Sequence, residues 1–143
     1  MRVKAEVSIV RKFVAAHSLP TIGVGERHEH LYEVHCGYSS RIETRVGCAR
    51  PLQQIASEID AVVARIQGKN LNVVLPVPPT AEMVACWLLA HLPSHWEWVA
   101  IKAYDGFECK ITREDAEPSF KLLRGKRSRV VKRLRAGGPR ALR

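Results

Sequence analysis

Long apolar runs are missing from this 143-residue chain. The longest, MVACWLLA at 83–90, falls far short of the roughly 20 residues a membrane-spanning helix needs, so no transmembrane helix is expected. The opening MRVKAEVSIV is charged early and alternates, without the continuous apolar core of a secretory signal, and a cytoplasmic protein is the expectation. Cysteine is scarce. Cys36, Cys48, Cys86 and Cys109 are scattered with no CxxC pair, which excludes a cysteine-rich structural metal site of that type. In a cytoplasmic setting the four read as reduced thiols, mostly buried as small hydrophobes. No internal repeat is present, and the length suits one domain with a core of its own.

Acidic residues are absent after Glu117. Residues 1–117 hold thirteen Lys/Arg and fourteen Asp/Glu, a net of −1, whereas residues 118–143 hold ten Lys/Arg and no acid, a net of +10. The overall charge of +9 therefore describes one end of the chain and says nothing of its body. On this ground the chain divides into a folded domain at 1–117 and a basic C-terminal tail at 118–143. The tail interleaves leucine and valine with its cations, as a basic amphipathic helix on RNA or another polyanion would. It has no aromatic residue beyond Phe120 to stack on bases. A solvated extension, or packing against a neighbouring subunit, reads equally from the same residues.

Within the body, VKAEVSIVRKFVAA (3–16) alternates with β-branched residues on one parity, the pattern of a half-buried strand. EHLYEVHCGYS (29–39) forms a second, and the connection between them carries Pro20, Gly23 and Gly25, so a long antiparallel hairpin with a loop is predicted. PLQQIASEIDAVVARI (51–66) places Leu52, Ile55, Ile59, Val62 and Ile66 at helical spacing, ended by Gly68. PTAEMVACWLLAHLP predicts a helix capped by Thr80 and stopped before Pro93. WEWVAIKAY (96–104) and GFECKIT (106–112) predict a second hairpin across Asp105-Gly106. The order is ββααββ, an α+β fold with an antiparallel sheet and both helices on one face.

Three of the six histidines, His17, His28 and His30, fall within AAHSLPTIGVGERHEH. Histidines two apart on a strand face the same way, and the hairpin can bring His17 alongside. Three neutral imidazoles form the ligand set of a catalytic zinc, with a fourth position left for water or substrate. Spacing alone also allows three unrelated histidines.

FVAAH (13–17), HEHLYEV (28–34), LN (71–72) and PPTAEMVACWL (78–88) together resemble motifs of the 6-pyruvoyl-tetrahydropterin synthase / 6-carboxy-tetrahydropterin synthase family. The resemblance covers roughly residues 5–112 and implies the tunnelling fold, with Zn2+ on His17, His28 and His30. It implies also a homohexamer of two stacked trimers whose sheets close into a barrel, an arrangement that removes exposed strand edges. In the family the metal polarises oxygens of a reduced-pterin side chain. A cysteine assisted by an Asp-His pair moves protons, and a glutamate late in the third strand holds the pterin ring. Here the cysteine's place falls at Val24, the Asp-His pair's at Gln67 and Gly68, and the glutamate's near Ala103. A chain without those groups cannot run the family's reaction by the family's route.

Substitutes are available. Glu26 lies two residues before His28 and is a candidate base; Asp105 is a candidate for holding a substrate's ring. Cys36 and Cys48 are candidates for a relocated thiol. Glu82 reads as a helix-start residue, and His35, His91 and His95 as ordinary surface or interface residues. The expected function is that of a zinc-binding homologue acting on a pterin or related bicyclic heterocycle by lyase or isomerase chemistry. Two other readings stay open: an inactive protein that binds a pterin- or purine-like ligand or serves as a scaffold, and an RNA-associated protein acting through its tail.

Overall fold

β-branched and aromatic side chains spaced two apart favour extended backbone, and they carry it further than their pattern suggests. In the computed structural model, which describes residues 3–104 and 106–125, strand β1 runs Lys4–Leu19 and β2 runs Val24–Arg41. The two pair antiparallel from Lys4↔Arg41 to His17↔His28, with a register shift before Leu19↔Val24. The predicted loop is therefore mostly strand, and Gly25 and Glu26 belong to β2. Only a 3₁₀ turn at Pro20–Ile22 separates the strands, closed by Gly23 at φ 82°, a left-handed conformation that suits glycine.

Strands β3 (Trp98–Tyr104) and β4 (Phe107–Thr112) complete one antiparallel sheet in the order β1-β2-β3-β4. Helix α1 spans Leu52–Val63, and α3 spans Ala81–His91 with Thr80 Oγ1 accepting the Met83 N–H at 3.2 Å. Both long helices lie where the sequence periodicity puts them. Short helices α2 (Leu71–Val74), α4 (Arg113–Ala116) and α5 (Phe120–Arg124) are additions.

The core lies between one sheet face and the helices. Phe13, Tyr32, Val34 and Ile101 from the sheet are buried with Ile59, Leu71, Trp87 and Leu88. On the opposite face Leu31 and Val10 are exposed. Arg113 ties the end of α3 to the sheet: its guanidinium donates to the carbonyls of Leu89 (2.9 Å), Pro93 (3.0 Å) and Trp96 (2.6 Å). Phe120 and Leu123 are buried in the same core, so packed structure runs past the position 117 at which the charge changes. Charge composition and packing divide this chain at different places, because α5 buries Phe120 and Leu123 and leaves Lys121, Leu122 and Arg124 at the surface. Residues 126–143, most of the predicted basic tail, lie outside the described residues.

Along the outer edge of β1, residues 67–72 act as a substitute strand. Gly68 N–H donates to Val14 O at 2.7 Å, and Ala16 N–H donates to Lys69 O at 2.9 Å. Gln67 Oε1 accepts the Val14 N–H at 3.2 Å. Edge groups that would otherwise face solvent are thus paired.

Candidate metal centre

The β1–β2 register sets His17 directly across from His28 and Ala15 across from His30. Alternation then turns all three rings to the helix side, with Tyr32 next along β2. Ring centroids stand 4.6 Å apart for His17–His28 and for His28–His30, and 5.0 Å for His17–His30, with the rings steeply inclined to one another. One ring nitrogen from each lies within 4.8 Å of the others. His17 is buried, and His28 and His30 are half-buried. The sequence-predicted triad is brought together.

Hydrogen bonds assign the tautomers. His17 Nδ1 is 2.8 Å from the Pro79 carbonyl and His28 Nδ1 is 2.9 Å from the Glu26 carbonyl. A carbonyl only accepts, so both Nδ1 atoms carry the hydrogen and both Nε2 atoms present lone pairs. Those two Nε2 atoms face each other at 3.0 Å. Between neutral rings no proton is available for that contact, whereas a cation satisfies both. Imidazole nitrogens on a tetrahedral zinc stand about 3.3 Å apart, close to this spacing. Burial lowers the pKa of His17, against the Pro79 hydrogen bond that raises it, and burial with the neighbouring imidazoles lowers that of His30. Neutral, ligating rings are favoured. The residues fit a divalent metal ion.

The triad opens on a cavity of about 460 Å³. Its polar lining adds Thr80 and Glu82 to the imidazoles, and its apolar walls include Leu19, Ile22, Val24, Ala103 and Phe107. Val24 and Ala103 thus stand on the wall, where the family comparison of motifs expects a thiol and a carboxylate. Gln67 and Gly68 do not line it; they pair the β1 edge. Ala103 sits at the register shift between Lys102 and Tyr104, a bulge of the kind that re-aims side chains beside sites.

Other candidates separate. Glu26 is exposed in β2 and meets His28 through its backbone carbonyl, and it is not among the cavity's lining residues. Asp105 lies outside the described residues. Cys36 is buried in the core, where desolvation pushes its thiol up to about 12, far from a nucleophile's range. Neither Cys36 nor Cys48 lines the cavity. His35 pairs with Glu33 at 2.8 Å, His91 donates to the Trp87 carbonyl at 2.8 Å, and His95 lies 3.0 Å from Glu58. Sequence reasoning treated Glu82 as a helix-start residue. It is that, in the first turn of α3, and it also lines the cavity, because the Pro79 carbonyl that holds His17 immediately precedes the Thr80 cap. The PPTAE spacing carried that signal.

The model of the family described as 6-pyruvoyl tetrahydropterin synthase matches residues 6–113. No curated protein matches the sequence. Among solved structures, 6-pyruvoyl tetrahydropterin synthase from Caenorhabditis elegans is similar at TM-score 0.70 and 20% identity, over 78% of this chain and 98% of that one. The Plasmodium falciparum enzyme is similar at TM-score 0.59 and 12% identity, over 76% and 97%. The Plasmodium vivax enzyme, in a form with a catalytic glutamate changed to alanine, is similar at TM-score 0.60 and 10% identity, over 78% and 98%. The likeness to these structures is one of fold. With the family model matched across most of the described body, the chain belongs to the 6-pyruvoyl tetrahydropterin synthase family.

Proposed function

We propose that His17, His28 and His30 hold zinc and that the cavity beside them takes a pterin or a related bicyclic heterocycle for lyase or isomerase chemistry. The observation that carries this reading is the pair of Nε2 lone pairs aimed at one another 3.0 Å apart, on the lining of a cavity of ligand size. Zinc there supplies a Lewis acid for a carbonyl or hydroxyl oxygen of the ligand, lowering the pKa of an adjacent proton.

The protein's own groups must then move that proton. Among the described residues no thiol lines the cavity, and the Cys36 thiol is held protonated by burial. A carboxylate is a suitable type of base, and a glutamate is the catalytic residue replaced in the Plasmodium vivax enzyme. Glu26 and Glu82 are the two candidates. Glu82 is favoured, since it is among the residues that line the cavity, whereas Glu26 offers the site its backbone carbonyl. Asp105, between Ala103 and Phe107 in the sequence only, remains a proposed contact for the heterocycle's ring edge. The proposal extends to a homohexamer of two trimers.

Elemental analysis of purified protein, followed by incubation with dihydroneopterin triphosphate, tests the reading. About one zinc per chain, lost in His28→Ala, is the expected result. Turnover lost in Glu82→Gln and kept in Glu26→Gln assigns the base to Glu82; the reverse assigns it to Glu26. Binding without turnover favours the second reading, a non-catalytic ligand-binding member, which the lack of a titratable group at Val24 and Ala103 also supports. Protein that binds no zinc overturns the proposal.

A further inference from the structure

We infer that Asn72 is a positioning residue for the metal centre, holding the His17 ligand in place by pairing the peptide that follows it. The inference rests on His17 being a metal ligand. The register shift between His17 and Leu19 sets the single residue Ser18 against three residues of β2, Gly25 to Arg27. At such an irregularity the ladder holds a strand least, and here it falls immediately after a ligand.

Ser18 turns its peptide groups to the outer edge of β1, the edge that Val14 and Ala16 also present, and Asn72 pairs them there. Its Oδ1 accepts the Ser18 N–H at 2.7 Å and its Nδ2 donates to the Ser18 carbonyl at 2.9 Å. One side-chain amide thus reproduces both bonds that a neighbouring strand would make. An amide is the one small side-chain group with a donor and an acceptor in that geometry. The Asn72 end of the clamp is itself fixed. Its N–H donates to Asn70 Oδ1 at 3.1 Å, and the neighbouring Leu71 is fully buried.

The same segment returns to His17 once more. Seven residues beyond Asn72, the Pro79 carbonyl accepts from His17 Nδ1 at 2.8 Å. Asn72 therefore fixes the backbone beside the ligand while Pro79 fixes the rotation of its ring. Of the other pairings along this edge, Ala16 adjoins His17 on its other side through a backbone bond to Lys69, and Val14 lies three residues before it. Partners that orient metal-bound histidines typically change metal affinity by 10–100-fold when removed.

Gln67 provides the control. Its side chain also bonds a β1 peptide, Val14 N–H, on the same edge. The experiment is chelator competition for zinc with the full chain, for wild type, Asn72→Ala, Asn72→Asp and Gln67→Ala. Metal-free thermal unfolding and the visible spectrum of the cobalt-loaded protein are recorded alongside. Asn72→Ala is expected to weaken zinc binding at least tenfold and to alter the cobalt bands, and Gln67→Ala to leave both unchanged while lowering the unfolding temperature. Asn72→Asp keeps the acceptor for Ser18 N–H and loses the donor, so it falls between Asn72→Ala and wild type; it serves also should the alanine variant not fold. Wild-type affinity in Asn72→Ala, or equal losses in Asn72→Ala and Gln67→Ala, overturns the inference and leaves the metal site standing. Wild-type protein that takes up no zinc removes both.

Discussion

Burial among other imidazoles makes the protonation of His17 and His30 a matter of stability. His17 and His30 have folded-state pKa values below the ordinary imidazole range of about 6.5, mainly through burial. The unfolded chain therefore binds protons first as pH falls. The stability these rings contribute is complete above about pH 6.5 and is lost as pH descends through that value toward the lower folded-state pKa. Thermal unfolding of metal-free protein between pH 8 and 5 should show a fall in midpoint, smaller in His30→Gln. His91 and His95 are shifted the same way by burial, so one substitution removes only part of the slope. A midpoint that rises toward pH 5 would contradict the assignment. A second single-residue effect concerns Gly37, over which the Trp98 ring lies. A methyl group there would collide with the ring, which also stacks under Lys110 Nζ at 4.4 Å. Gly37→Ala should cost about 1–3 kcal/mol in chemical denaturation, as overpacking does.

At the scale of elements, both hairpins and both long helices were legible from periodicity, because a half-buried strand and an amphipathic helix write their faces into the sequence. The strand ends were not. Val24, Gly25 and Glu26 carry no alternation; Val24 pairs with Leu19, and Gly25 and Glu26 fall in the register shift between that pair and His17↔His28, while residues 67–72 hold β1 from its other side. The triad itself was readable, since two-residue spacing and a hairpin are enough to converge three rings. Glu82, Asn72 and the Pro79 carbonyl were not read as site groups, because their place depends on a chain crossing back over the sheet. Arg113 shows how such crossings are held. Its guanidinium gathers carbonyls from the end of α3 and the residues after it, and it packs 5.2 Å from the Phe120 ring. Arg113→Met should lower stability by about 1–3 kcal/mol through carbonyls left unpaired, measured by urea unfolding. A change within error would show that water serves those carbonyls equally well.

For the whole molecule, the charge boundary at 117 is the wrong place to cut. Truncation after residue 117 removes Phe120 and Leu123 from the core and should lower the unfolding temperature markedly, whereas truncation after Gly125 spares every described core residue. The alternative reading that residues 118–143 bind RNA is therefore best tested with the later cut. A steep salt dependence that disappears with it is the expected signature. A loss of binding only with the earlier cut would place the effect in the fold. Sedimentation of the zinc-loaded protein tests the proposed hexamer directly, and a monomer at micromolar concentration would refute it.

An all-nitrogen donor set also decides which ions compete. Magnesium and calcium seek oxygen, and three imidazoles offer them little, so under the proposed zinc binding the abundant hard cations of a cell would compete poorly for the triad. Copper and nickel are the rivals, since the usual order of first-row affinities runs through nitrogen ligands undiminished. Which of them reaches the triad depends on supply in the living cell.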